Sequence, residues 1–135
     1  MDFRILITSS RSWTDHERIH QVLDEYTHIP RVVLVSGNCR KGGDLICENY
    51  ADSVGWHIER HPADWNQYGK RAGFVRNAEM VNLRANVCLA FIRNASKGAT
   101  MTKNLAQKAG IETRVFRDDS FPYLNRMATR SRRGL

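Results

Sequence analysis

The segment HPADWNQYGKRAGFVRNAEM, residues 61–80, concentrates side chains that a simple connection between two elements does not need. It lies between two apolar runs that resemble buried strands, and a strand-to-helix connection needs only about 2–6 residues. This one contains a Trp, a Tyr, two Gly, a Lys and two Arg. Asp64 within it could bind a ribose or cap a turn. The composition therefore predicts a segment that holds a ligand.

Three other loops follow apolar runs and have similar chemistry: SSRSWT, GNCRKGGD and RNASKGAT. Each contains Arg or Lys, and the glycine-rich ones could present backbone amides and a helix N-terminus to a phosphate. Serine hydroxyls in the first loop are better suited to a phosphate than to nucleophilic attack. The candidate ligand contacts in these loops are Ser9, Ser10, Arg11, Trp13, Gly37, Gly42, Gly43, Asp44, Lys97, Gly98 and Thr100.

Each of these loops also has a plain structural interpretation. Trp13 could be a lid over the core, Asp44 could cap a helix, and the remaining residues could form ordinary polar turns. The second loop matches neither a Walker motif nor GxGxxG, so its signal alone is weak. Four loops that are all polar and basic nevertheless indicate one anion-binding edge.

Several classes of site are excluded by spacing. The five histidines form no metal-binding pattern, and no GxSxG or Cys–His arrangement occurs, so we expect no metal, no cofactor and no such nucleophile. The odd cysteine count (Cys39, Cys47, Cys88) indicates reduced thiols and a cytoplasmic protein. No apolar run approaches the roughly 20 residues that a membrane helix needs, so we expect no membrane partner.

The elements that must position these loops alternate along the chain. Apolar runs at residues 3–8, 31–36, 56–61, 86–92 and 112–117 predict strands, of which the third and fifth suit sheet edges. Helical patterns fill residues 14–26, 44–54, 75–85 and 100–110. Right-handed crossovers then predict an α/β fold: a Rossmann-like, doubly wound, mainly parallel five-stranded sheet in a three-layer sandwich. In such folds ligands bind beyond the carboxyl ends of the strands.

The net charge of +7 is unevenly distributed. Residues 125–135 carry four arginines and no acid, which leaves +3 for the rest of the chain. We therefore divide the chain into a nucleotide-binding domain at residues 1–117 and a basic extension at residues 118–135. The extension could bind nucleic acid without sequence preference and with strong salt dependence.

The motifs resemble the YspA-like branch of the SLOG superfamily. The similarity rests on SSRSW, the loop ending in GGD, PADW..YG..AG..RN..M, and LAF followed by KGAT, and it covers roughly residues 3–116. This superfamily is Rossmann-like and includes the LOG phosphoribohydrolases and the DNA-processing protein DprA. The resemblance implies a nucleotide or nucleotide-derived ligand and a homodimer.

The resemblance also implies site residues. LOG enzymes cleave the N-glycosidic bond of nucleoside monophosphates with an Arg in RKxxM and a Glu in PGGxGTxxE. RNAEM supplies Arg76 and Asn77, but the acidic position falls near Thr102 or Lys103. A carboxylate is needed to stabilise an oxocarbenium-like centre, so we expect binding without efficient catalysis.

In the resulting hypothesis, Trp65 or Tyr68 stacks on the base, Gly73 allows close approach, and Arg76 pairs bidentately with phosphate. Trp65 could instead pack as core beneath its loop. Two other functions are open: a true phosphoribohydrolase and nucleic-acid binding of the DprA kind. In the phosphoribohydrolase, Arg76 would be catalytic and the missing acid would be replaced by Glu48, Asp64 or, first of all, Glu79.

Overall fold

A parallel sheet of five strands forms the middle layer of the protein. The computed structural model describes residues 1–133, with side chains as far as Thr129. The strands are β1 (Phe3–Ser9), β2 (Val32–Ser36), β3 (His57–Arg60), β4 (Val87–Ile92) and β5 (Glu112–Arg117). Their order is β3-β2-β1-β4-β5, and every neighbouring pair is parallel. The doubly wound α/β fold and the edge positions of the third and fifth strands are confirmed.

Helices connect the strands. They are α1 (His16–Asp24), α2 (Gly43–Ser53), α3 (Trp65–Tyr68), α4 (Ala72–Asn82), α5 (Lys97–Lys108) and α6 (Phe121–Arg133). A 3₁₀ turn at Gly69–Arg71 joins α3 to α4. The sequence pattern missed α3 and this turn, because no α3 residue is buried and the helix has no apolar face to detect. The long segment is thus folded into short helical pieces.

Side chains of β1 alternate between the two helical layers. Ile5 and Ile7 belong to the core cluster that α1 and α2 cover, whereas Leu6 belongs to the cluster under α4 and α5. All three are fully buried. A strand with helices on both faces buries every side chain, so its sequence reads as a continuous apolar run.

Local signals set several helix ends. The Asp15 carboxylate accepts a hydrogen bond from the Arg18 amide at 3.0 Å and caps α1. Gly55 and Gly110 follow α2 and α5 with φ of 80° and 78°, the left-handed conformation that glycine adopts most easily. Both glycines therefore end their helices in the way that C-terminal glycines commonly do.

The chain after β5 is fastened to the loop that follows β4. The Arg93 guanidinium pairs with Asp118 at 3.0 Å, and Asp119 accepts from the Asn94 amide at 2.9 Å. The helix α6 then begins at Phe121. The side chains of Arg130, Arg132 and Arg133, on which the nucleic-acid prediction depends, lie outside the described residues.

Candidate functional site

A cavity of about 620 Å³ opens at the carboxyl edge of the sheet, between the ends of β1 and β4. The strand order reverses at this point, since the chain runs outward from β1 on one side and from β4 on the other. Such switch points leave a crevice for ligands. The predicted residues that line this cavity are Ser9, Ser10, Arg11, Gly37, Asp44, Trp65, Gly73, Arg76, Asn77 and Gly98.

The guanidinium of Arg76 is the buried cation of the cavity, in the second turn of α4. Its side chain is 8% exposed. Nε donates to Asn77 Oδ1 at 2.7 Å, while Nη1 donates to the carbonyl oxygens of Gly37 and, at 3.2 Å, of His61. These bonds use both hydrogens of Nη1 and the one on Nε. Arg76 therefore offers Nη2 to the cavity while these bonds are in place, and the expected bidentate pairing with a phosphate stays a prediction.

Glycine makes room for this arginine on two sides. A Cβ at Gly37 would lie 2.9 Å from Arg76 Nη1, a separation that real Cβ atoms do not tolerate without a shift. A Cβ at Gly73 would lie 3.8 Å from both Arg76 Nη2 and Trp65 Cη2. The open nitrogen and the edge of the indole ring thus converge on one point of the cavity wall.

The two serines of the first loop line the cavity, but their hydroxyls are already engaged by the protein. Ser9 Oγ donates to Asp44 Oδ1 at 2.7 Å. Ser10 Oγ accepts from the Arg93 amide at 2.8 Å and so ties the ends of β1 and β4 together. Their first role is to hold the walls in place.

The first turn of α5 forms another wall. Ser96 is its N-cap residue but makes no side-chain hydrogen bond to the turn. Gly98 and Ala99 line the cavity, and first-turn amides have no partner within their own helix. The Nδ2 group of Asn77 reaches the Gly98 carbonyl at 3.5 Å. This turn can therefore present N–H groups and a positive dipole end to an anion.

Asp44 is the carboxylate of the cavity among the residues that the structure describes. It lies in the first turn of α2, whose N-cap is Gly42, so the capping interpretation of Asp44 is wrong. The carboxylate is 5% exposed and also accepts from the Cys39 amide at 3.3 Å. Burial raises its pKa, against the lowering effects of these hydrogen bonds and of the Arg76 charge. Burial, followed by the charge of Asp44, raises the pKa of the Cys39 thiol.

Gly42 and Gly43 pack against the first loop instead of lining the cavity. A Cβ at Gly42 would lie 2.5 Å from the Ser10 carbonyl oxygen, and one at Gly43 would lie 2.3 Å from Ser9 Cβ. The Gly43 amide donates to the Ser10 carbonyl at 3.4 Å. Their prediction as phosphate-binding glycines is wrong, because the close approach is between two protein loops.

Two exposed aromatic rings complete the cavity. Trp65 is 52% exposed, so the alternative that it packs as core is wrong. Phe74, the third residue of α4, is 43% exposed and lines the same cavity. The sequence reasoning missed Phe74. A large apolar residue two positions before Arg76, on the exposed side of a helix, was the available signal.

The remaining predicted contacts lie elsewhere. Trp13 is 1% exposed, packs edge-on against Phe91 and donates from Nε1 to the Asp15 carbonyl at 2.9 Å, so it is the predicted lid over the core. Asp64 is the exposed N-cap of α3 and accepts from the Gln67 amide at 3.1 Å. The other residues outside the cavity lining are Tyr68, Lys97 and Thr100.

The acids considered as substitutes for the missing catalytic glutamate do not line the cavity. Glu48 is a buried residue of α2 and accepts hydrogen bonds from Ser36 and Arg60, each at 2.7 Å. Glu79 is exposed, because the buried face of α4 comprises Ala72, Arg76, Asn77, Met80 and Val81. The expectation that Glu79 shares the pocket of Arg76 is wrong.

The described residues contain no group of three or more His, Cys, Asp or Glu that could hold a metal ion. In the same part of the chain, no helix is long and apolar enough to cross a membrane. The three cysteines are free thiols.

Comparison with known proteins agrees with the fold. The model of the YspA, cpYpsA-related SLOG family matches residues 3–68. The Gene 61 protein of Mycobacterium phage D29 is 40% identical over 121 residues, which cover 85% of this chain and 97% of that protein. The chain belongs to the YspA, cpYpsA-related SLOG family. No solved structure matches. The family match ends before α4, so the position of Arg76 rests on the structure, and a homodimer stays a prediction.

Proposed function

We propose that this SLOG-family chain binds a nucleotide or nucleotide-derived anion in the cavity and releases it unchanged. The observation that carries the proposal is the Arg76 guanidinium, which is 8% exposed and forms no ion pair with any described carboxylate. A buried charge without a counterion in direct contact is unfavourable, since the Asp44 carboxylate of the same cavity attracts Arg76 only from beyond ion-pair distance and offsets the lost hydration in part. An anionic ligand supplies that counterion.

The surroundings favour a phosphate at this place. Nη2 of Arg76 has no acceptor among the described residues. The adjacent wall is the first turn of α5, which can present backbone N–H groups to a ligand. Charge-assisted hydrogen bonds to a phosphate are short and strong. Asn77 fixes the guanidinium through Nε and reaches α5 through Nδ2, so it positions both donors together.

The aromatic rings favour a nucleobase beside that phosphate. Trp65 and Phe74 are exposed large apolar side chains on one cavity wall. Stacking of a base on an aromatic ring contributes about 1–3 kcal/mol. The convergence of the Trp65 ring edge and Arg76 Nη2 at Gly73 suits a ligand in which a planar group and an anion are covalently linked.

A structural role for Arg76 is the main alternative. Its Nη1 joins the loops after β2 and β3 through the carbonyls of Gly37 and His61. That role accounts for the hydrogen bonds of Nε and Nη1 but gives Nη2 no partner. It also does not explain why two exposed aromatic rings lie on the same cavity.

Calorimetry with AMP, GMP, CMP and UMP tests the proposal, with tryptophan fluorescence as a second readout. At least one monophosphate should bind and quench the fluorescence, because a base stacked on Trp65 changes its surroundings. Trp65→Phe should remove most of the quenching while keeping an aromatic surface. Trp56→Phe is the matched control, since Trp56 packs against the core and does not line this cavity. Absence of both heat and quenching for all four monophosphates, and equally for their diphosphates and for NAD, would refute the proposal.

We further expect bound monophosphates to be released intact. Thr102, at the position of the expected acid, is fully buried and its Oγ1 donates to the Gly98 carbonyl at 3.1 Å. Without a carboxylate there, the developing positive charge lacks a stabilisation that contributes several kcal/mol, and each 1.36 kcal/mol is tenfold in rate. Turnover should be at least about a hundredfold below that of a LOG enzyme assayed alongside.

Chromatography of free base after long incubation measures this. Multiple-turnover base release that Asp44→Asn abolishes would contradict the expectation and favour the phosphoribohydrolase, because Asp44 is the described carboxylate that lines the cavity. Glu79→Gln is the control for that variant, since Glu79 points to solvent on α4.

A further inference from the structure

A second cavity, of about 460 Å³, adjoins the first. The two share the wall residues Arg11, Gly37, Cys39, Trp65 and Arg76. Arg76 and Trp65, the residues assigned to the phosphate and the base, therefore lie at the junction of the two cavities. A ligand bound at the junction can extend into the second space without leaving the protein surface.

The charged side chains that line the second cavity are all positive among the described residues. Its outer wall is the loop after β2, which contributes Asn38, Arg40 and Lys41, and no acid lines it among the described residues. Arg11, Arg40 and Lys41 are exposed, and none of them forms an ion pair in the described part of the chain. Together with Arg76, these residues make four positive side chains that face one space and repel one another.

The loop that carries these charges is held in a defined conformation. Asn38 has φ of 59°, a left-handed conformation that few residues other than glycine adopt. Its amide donates to Ser36 Oγ at 3.0 Å, and the next amide, of Cys39, donates to Asp44 at 3.3 Å. These two side chains fix the backbone immediately before Arg40 and Lys41. The basic pair therefore begins from an anchored segment.

We propose that the second cavity binds a second phosphate of the same ligand, so that the natural ligand is a nucleoside diphosphate or a pyrophosphate-linked dinucleotide. This inference rests on the proposed function, because it needs a first phosphate at Arg76. A second phosphate brings negative charge to the point where three exposed cations meet without a counterion. Solvated surface charge alone does not explain why no acid among the described residues lines this cavity.

The test compares each monophosphate (AMP, GMP, CMP, UMP) with its diphosphate (ADP, GDP, CDP, UDP) by calorimetry. The diphosphate of the preferred nucleoside should bind about fivefold to tenfold more tightly, since exposed ion pairs are screened by solvent and each adds only modestly to affinity. In Arg40→Ala/Lys41→Ala the ratio of diphosphate to monophosphate affinity should fall to near one. NAD is tested in parallel, because its second phosphate is esterified to another nucleoside. Tighter binding of NAD than of the diphosphate would indicate a dinucleotide, and the reverse would indicate a terminal second phosphate.

The double variant Lys108→Ala/Arg117→Ala is the matched control, because it removes the same charge from exposed sites outside both cavities. Its affinity ratio should equal that of the wild type. If a monophosphate binds but neither its diphosphate nor NAD binds more tightly, the second subsite is wrong and the proposed function stands. Equal loss in the two double variants would also overturn the inference. If no nucleotide binds at all, both proposals fail.

Discussion

Arg76→Ala should lower the affinity for the preferred nucleoside monophosphate by about 1.5–3 kcal/mol, the range for hydrogen bonds to a charged group. The physical reason is that Nη2 is the guanidinium nitrogen left open to the cavity, while Nε and Nη1 are occupied by Asn77, Gly37 and His61. Calorimetric titration of the folded variant measures the loss. Its fold is checked separately by urea unfolding.

Arg71→Ala is the matched control, because Arg71 is an exposed arginine that immediately precedes α4 and lies outside both cavities. It removes the same charge but should leave the affinity within about twofold, as expected where an exposed charge is screened by solvent. Arg76→Lys keeps the charge and loses the planar donor set, so an intermediate affinity is expected. Unchanged affinity in a folded Arg76→Ala protein would show that Arg76 only joins the two loops.

Gly42→Ala should reduce the free energy of unfolding by about 3–4 kcal/mol, through backbone strain and overpacking together. Gly42 has φ of 74° and ψ of −152°, a conformation essentially restricted to glycine. Its added Cβ would also lie 2.5 Å from the Ser10 carbonyl oxygen and 2.6 Å from Arg11 Cα. Both neighbours are backbone atoms, so a side-chain rotation cannot relieve the clash. The midpoint of urea unfolding measures the loss.

Gly55→Ala separates the two causes. Gly55 also has a positive φ, of 80°, but a Cβ there would meet no atom within 4 Å. Only the conformational penalty remains, so the expected loss is about 1 kcal/mol. Equal losses in Gly42→Ala and Gly55→Ala would show that the first two loops move apart at little cost. The close packing at Gly42 would then contribute nothing measurable to the free energy of unfolding.

The fold could be predicted from sequence because its signals are local. β1, β2 and β4 read as continuous apolar runs since helices cover both faces of those strands. The edge strands β3 and β5 alternate because each has one neighbour and partial exposure. Helix ends at Asp15, Gly55 and Gly110 likewise depend on one residue and its own backbone. Signals of this kind need no knowledge of distant partners.

The location of the site could also be predicted, since parallel strands bring the loops after their carboxyl ends to one edge. The roles of single residues within those loops could not. Trp13 and Trp65 both follow a strand and both looked able to cover a ligand or the core. Only packing decided that Trp13 lies against Phe91 and that Trp65 stays 52% exposed on the cavity.

The sequence by itself therefore determined the order of the strands and of the long helices that connect them, the edge of the sheet at which the cavity opens, and the presence of Arg76 at that edge. Tertiary structure alone decided what Arg76 can still bind, because the acceptor of its Nη1 at Gly37 lies 39 residues earlier in the chain. It also decided that Asp44 faces the cavity while Glu79 faces solvent. The partners of a hydrogen-bonding group and the direction of a side chain depend on which loops are in contact. Residue spacing along the chain does not show which distant loops will be in contact.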